Sequence, residues 1–242
     1  MTSRGLPMKL KSVLKLWRGQ SSTVPVPVKN EKCTEFEVDN WVLSEFIVQD
    51  LIKIVGFSPY PLNEMLLMTG AVCRLRPEYI FEWGTHLGKS ARIFSETCTK
   101  FGIRAQIHST DLPDDVFHKE HPGNLRGKLV RNSANVFLHL GDGLSTSLEI
   151  ASSLTKETPI LFFLDGEHGF DSVHRELTKI MTHIPTASIL VHDTFYQSSQ
   201  SNYNIGPYLA IQAALKETPN SFSILSTNTG LPGMTLLYRV VS

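Results

Sequence analysis

The chain has 242 residues, 41% of them hydrophobic, and its 23 lysines and arginines balance 23 aspartates and glutamates. That length and apolar content can bury one sizeable core, and a net charge of zero supplies no field to draw in nucleic acid or an anionic membrane. Cys33, Cys73 and Cys98 are odd in number and widely spaced, which excludes a disulfide framework or a zinc pattern and makes a reducing, cytoplasmic setting the expectation.

The first 30 residues read as a basic arm and linker. Arg4, Lys9, Lys11, Lys15 and Arg18 have no acidic counterpart before Glu31, while Leu10, Val13, Leu14 and Trp17 share one helical face. Such a segment fits a peripheral foot on a membrane, a transit peptide, or an arm packed on the domain or on a second subunit of a homo-oligomer; we take the last. Pro25 and Pro27 make the following stretch an extended linker. The N-terminus lacks the apolar core of a secretory signal, and no transmembrane segment is expected, since no run approaches the ~20 apolar residues of a bilayer span. Residues 31–76 follow as a helical lead-in, with apolar positions at helical spacing in Trp41–Val55 and Leu62–Leu75 before Pro77.

From residue 77 to 242 the periods alternate. Strands are expected at Glu78–Glu82, Ala105–Thr110, Val136–Leu140, Ile160–Leu164 and Ala187–Val191, and helices at Lys89–Phe101, Leu148–Leu154 and Asp171–His183. That order predicts an α/β, Rossmann-like fold with a mostly parallel sheet, helices on both faces and ligands at the carboxyl ends of the strands. Phe222–Ser226 and Met234–Val240, joined by a turn holding Gly230, Pro232 and Gly233, predict a hairpin at one edge. The Ser- and Gln-rich Phe195–Pro207 stretch, with Tyr196 and Tyr203, reads as either a loop that could close over an acceptor or an ordinary surface loop, and the polar Asp114–Arg131 stretch, with His118 and His121, as a long connection that could touch substrate or a subunit. His174 and His183, on the last helix, read as surface or packing residues.

The chemistry collects at the strand ends. Glu82-Trp83-Gly84-Thr85-His86-Leu87-Gly88-Lys89-Ser90 runs from a strand through two glycines into a helix, the turn by which an α/β protein holds a nucleotide-like cofactor. The spacing is E-x-G-x-x-x-G rather than G-x-G-x-x-G; without the middle glycine a pyrophosphate is disfavoured, and Glu82 suits a ribose hydroxyl or an ammonium. All five parallel strands end in a carboxylate: Glu82, Asp111, Asp142 before Gly143, Asp165 and Asp193. One such residue would be a helix cap, but five on one rim require a cation or several hydroxyl donors to offset their repulsion.

Together with Leu164-Asp165-Gly166-Glu167-His168 and Val191-His192-Asp193-Thr194, this set resembles the class I S-adenosylmethionine-dependent methyltransferases, over roughly residues 60–240. Within that class it looks most like the branch of cephalosporin-hydroxylase-type proteins and metal-dependent sugar O-methyltransferases. The resemblance implies a seven-stranded sheet whose last strand is antiparallel. It also implies S-adenosylmethionine held by Gly84, Thr85, Gly88 and Ser90 around its methionine part, with Glu82 near the amino group. Asp111 would take the ribose hydroxyls, Asp142 and Gly143 the adenine side, and Asp165 would complete the cofactor site. Asp165, His192 and Asp193 match the branch's magnesium ligands, although an imidazole replaces an oxygen donor; either Asp165 and Asp193 hold the ion with more water, or Mn2+ replaces Mg2+. The base would be His168 or Glu167, and His168 is preferred because an imidazole titrates near neutral pH. The expected activity is metal-assisted O-methylation of a small molecule or glycosyl unit. An NAD-dependent oxidoreductase would keep the fold but lacks its glycine, and a non-catalytic cofactor-binding subunit would bind without turnover.

Overall fold

Asp39 opens a helix by capping it: its carboxylate accepts from the Trp41 and Val42 N–H groups at 3.1 and 3.2 Å. The computed structural model describes residues 38–119, 121–196, 203–218, 222–227 and 229–239; the basic amphipathic arm and its linker lie outside them. Helix α1, Asn40–Phe46, runs through a π-helical turn, Ile47–Leu51, into α2, Ile52–Val55, and α3 follows at Leu62–Leu75. No helix among the described residues is long and apolar enough to cross a membrane.

The alternating stretch forms β1 (Tyr79–Trp83), α4 (Lys89–Lys100), β2 (Gln106–Asp111), β3 (Val136–Leu140), α5 (Gly143–Ser152), β4 (Ile160–Leu164), α6 (Phe170–His183) and β5 (Ser188–His192). Helix α7 (Gly206–Glu217) and strands β6 (Ser223–Ser226) and β7 (Met234–Tyr238) complete the described chain. One seven-stranded sheet results, in the order β3-β2-β1-β4-β5-β7-β6. The first five strands pair in parallel, and β7 lies antiparallel between β5 and β6, so the expected hairpin does close one edge. β4 and β5 are buried at every position, which is why β4 is a continuous apolar run and β5 is apolar between Ser188 and His192, whereas the edge strand β3 exposes Phe137, Leu138 and Leu140.

Helices α1 to α4 share one core with one face of the sheet, through Leu51, Met68, Ile80, Phe94 and Phe163 among others. The second core, around Phe81, Phe162, Leu177, Ile189 and Ile211, packs α5, α6 and α7 on the other face. α7 is the one long element that the sequence did not suggest. Gly206-Pro207 looks like the end of a loop, but here proline occupies the first turn of a helix, where its missing N–H costs nothing.

Candidate active site

Between β1 and β4 the strand order reverses, and there a cavity of about 860 Å3 opens at the carboxyl ends of the parallel strands. Gly84, Thr85, Ser90, Asp111, Asp142, Gly143, Asp165, Glu167, His168, His192 and Asp193 line it. Glycine is required at two of these positions. Gly84 has φ 98°, and a Cβ there would lie 2.4 Å from the Asp165 carbonyl oxygen; at Gly143 a Cβ would lie 2.4 Å from the Cβ of Trp83.

Two expected cofactor residues lie behind the wall instead of on it. β1 runs one residue further than expected, to Trp83, and Glu82 is 1% exposed beneath the turn. Burial pushes its carboxyl up to about 7, against hydrogen bonds from Ser109 and Ser90 that work to lower it. Ser109 Oγ donates to Oε1 at 2.5 Å, and the buried Oε2 has no hydrogen-bond partner. Gly88, at φ 82°, caps α4 and packs against Gly127 and Val130.

Asp111 ends β2 with its Oδ2 accepting from the His86 N–H and from Arg126 Nε, each at 3.1 Å, and its Oδ1 from the Leu112 N–H at 2.9 Å. Arg126 also donates to Asp114 and lies 2.8 Å from His121 Nε2, which draws the long connection over the cavity mouth. Asp142 behaves as a helix cap: its Oδ1 accepts from Ser145 N–H and Oγ at 2.8 and 2.6 Å.

At the end of β4 and β5 the charges are densest. Asp165 Oδ2 accepts from the Tyr60 hydroxyl at 2.5 Å, and Oδ1 from His192 Nδ1 at 2.7 Å. His192 Nε2 lies 3.0 Å from Glu64 Oε2, and Glu64 is fully buried on α3. Burial alone would lower the His192 pKa, but Asp165 and Glu64 outweigh it and raise it to about 10. Asp193, in the left-handed region at φ 57°, binds His168 Nδ1 through Oδ2 and the Tyr203 hydroxyl through Oδ1, the latter at 2.6 Å. Burial would likewise lower His168, yet its bond to Asp193 and the charges of Asp193 and Asp165 hold it above the usual imidazole value. Glu167 is exposed on the rim.

Tyr60, Glu64 and Arg126 are site residues that sequence reading did not single out, whereas Tyr203 lies in the Phe195–Pro207 stretch expected near an acceptor. Glu64 stands 128 positions from His192, on a helix whose spacing marks only its apolar face, and no local pattern links the two. His174 and His183 bond to Glu217 and the Lys179 carbonyl, away from the cavity.

The cavity fits S-adenosylmethionine: a glycine turn that a Cβ would fill, an acidic strand end at Asp111 and an orphaned carboxylate oxygen below the floor. A divalent ion on Asp165, His192 and Asp193 does not fit this arrangement. Both nitrogens of His192 face carboxylates, at 2.7 and 3.0 Å, so neither offers a lone pair to an ion. Among the described residues no group of three or more His, Cys, Asp or Glu could hold a metal ion.

The sheet order with this cavity at its switch point is the architecture of the class I S-adenosylmethionine-dependent methyltransferases. Within that class the chain belongs to the rhamnosyl O-methyltransferase/CmcI family, whose model matches residues 60–231. The chain is accordingly an S-adenosylmethionine-dependent O-methyltransferase by family.

Many solved structures share the fold, and three of them illustrate the likeness. The Podospora anserina methyltransferase PaMTH1, bound to S-adenosylhomocysteine, is 17% identical with a TM-score of 0.54, covering 99% of this chain and 100% of its own. The O-methyltransferase TomG from Streptomyces achromogenes, in complex with S-adenosylmethionine, is 13% identical at 0.54, covering 84% and 91%. CalS11, a TDP-rhamnose 3'-O-methyltransferase of calicheamicin biosynthesis, is 14% identical at 0.52, covering 82% and 87%. No curated protein sequence matches the chain.

Proposed function

We propose that the protein methylates a hydroxyl of a small molecule or glycosyl unit, with S-adenosylmethionine in the cavity and His168 as general base. The observation that carries this is the pair His168–Asp193 on the cavity rim. Because Asp193 accepts from Nδ1–H, the lone pair of the neutral imidazole is left on Nε2, whose nearest acidic group is Asp165 Oδ1 at 3.7 Å. The Tyr203 hydroxyl fixes Asp193 from its other oxygen, so the base has a supported orientation.

Bound S-adenosylmethionine supplies a methyl group on a sulfonium, already reactive enough that the protein need only position an acceptor and remove its proton. Gly84, Thr85 and Ser90 would enclose the methionine part, Asp111 the ribose hydroxyls, and Asp142 with Gly143 the adenine side. An alcohol is a poor acid, so His168 Nε2 takes the hydroxyl proton as the acceptor oxygen bonds to the methyl carbon. Asp193 stabilises the imidazolium that results. CalS11 acts on a deoxysugar nucleotide, which supports glycosyl acceptors as the first class to try.

The test is S-adenosylhomocysteine production from S-adenosylmethionine over a panel of nucleotide sugars, glycosides and small alcohols. His168→Ala should lower turnover about 10²–10⁴-fold while sparing cofactor affinity. Turnover only on amine or carboxyl acceptors, or a His168→Ala enzyme at full rate, would overturn the reading.

A further inference from the structure

Strand β5 ends in a histidine that is 5% exposed and held between two carboxylates. Its Nδ1 is 2.7 Å from Asp165 Oδ1 and its Nε2 is 3.0 Å from Glu64 Oε2. A carboxylate at such a distance accepts, and a neutral imidazole has one N–H to give, so serving both partners requires the imidazolium. The remaining oxygens have partners of their own: Glu64 Oε1 accepts from the Gly233 N–H at 2.7 Å, and Asp165 Oδ2 from the Tyr60 hydroxyl at 2.5 Å. The Tyr60 ring stands edge-on to His192 with centroids 5.1 Å apart, closing the group from the side.

The elements make this more than a chance pair. Glu64 comes from α3, Asp165 from the loop after β4, His192 from β5 and Gly233 from the turn before β7, so four separate segments converge on one buried cation. The charge is where the rim needs it. Asp165 and Asp193 flank the cavity, and without a cation behind them their mutual repulsion would loosen the hold of Asp193 on His168. His192 Nδ1 lies 3.8 Å from Asp193 Oδ1 as well as 2.7 Å from Asp165.

We infer that His192, held between Glu64 and Asp165, is a built-in organic cation that offsets the carboxylates of this rim in place of a divalent ion, so that the enzyme binds no catalytic metal. His192 acts as a positioning residue: it neutralises and orients Asp165, and through the shared field keeps Asp193 ionised against His168. The inference deepens the assignment of His168 as base and rests on it for the catalytic role; the absence of a metal site is read independently.

The experiment is a titration of the intact protein with Mn2+, followed by the paramagnetic signal of the free ion, with and without S-adenosylhomocysteine. The expected result is no saturable uptake up to about 1 mM, the weak end of biological divalent sites. His192→Glu, which puts an oxygen donor back between Asp165 and Asp193, should gain stoichiometric uptake that a further Asp165→Asn change abolishes. Stoichiometric Mn2+ uptake by the unaltered protein, lost in a folded Asp165→Asn variant, would overturn the inference. Methyl transfer that stops in EDTA and returns with Mg2+ or Mn2+ would also overturn it while leaving His168 as base. No hydroxyl methylation, together with no Mn2+ uptake, would sink the base assignment and leave the metal-free site standing.

Discussion

Arg126 Nε lies 3.1 Å from Asp111 Oδ2, and both side chains are 12% exposed, so the carboxylate expected to meet the ribose is already paired across 15 positions of chain. Arg126 spreads its other nitrogens over Asp114, the Leu112 carbonyl and His121, tying the connection after β2 to the strand end. Asp111 still has lone pairs for two hydroxyls, since each oxygen of a carboxylate can accept more than once. Asp111→Ala should weaken S-adenosylhomocysteine binding by about 1.5–3 kcal/mol, the worth of hydrogen bonds to a charged group. Arg126→Ala should cost less than half as much, because the His86 and Leu112 N–H groups continue to orient Asp111. Calorimetric titration of the two variants tests both statements.

Gly84→Ala should be damaging in a way that separates geometry from chemistry. The added methyl would meet the Asp165 carbonyl oxygen at 2.4 Å, in a backbone conformation that L residues rarely adopt. Overpacking of this kind costs about 1–3 kcal/mol, with the left-handed backbone in addition. A lower Tm accompanied by lost cofactor binding is expected; an unchanged Tm and affinity would show that the turn is looser than described.

The pH dependence of turnover should follow His168. Its proton must be absent for it to act as base, and the folded protein holds that proton more tightly than free imidazole, through Asp193 after the opposing effect of burial. kcat/KM should therefore fall as pH drops through a midpoint above the ordinary histidine value. Asp193→Asn removes the carboxylate charge, so the acid limb should move to lower pH while the maximal rate also falls. A limb that does not move would detach Asp193 from the base.

Stability should respond to His192 in the alkaline range. Its folded pKa is raised to about 10, above the ~6.5 of an unfolded histidine, so its contribution is whole below about pH 6.5 and is lost as pH rises towards 10. Denaturation midpoints should thus decline across that window, and His192→Gln should flatten the slope while lowering the plateau. Equal slopes in the two proteins would mean that His192 is not charged in the native state.

The sheet was readable because its strands carry their burial in their composition: the continuous apolar run of β4 and the apolar centre of β5 admit few other readings, and the turn with Gly230, Pro232 and Gly233 announced the edge hairpin. The rim was readable too, since parallel strands must deliver Asp111, Asp165 and Asp193 to one end. What could not be read were partners brought in by packing. Tyr60 precedes α3 with no periodicity around it, and it reaches Asp165 across 105 positions; Glu64 looks like the solvent face of its helix until the helix is docked. Arg126 is one cation among several in a polar connection. Glu64, invisible from sequence, also faces the second nitrogen of His192, a contact that the reading of His192 as a ligand did not foresee.

Trp83 gives the protein an optical gauge of its own cavity. Trp83 is 6% exposed, and Gly143 and Gly166 approach its indole so closely that added methyl groups would stand 2.5 and 2.8 Å from it, leaving it as the underside of the chamber. Trp41 is 78% exposed on α1, so its emission belongs to the solvent-relaxed red edge, whereas that of Trp83 belongs to the blue. A ligand entering above Trp83 changes the polarity on one side of that ring alone. Occupancy of the chamber can therefore be followed as a change at the blue edge of the spectrum, without a label and before any acceptor is known.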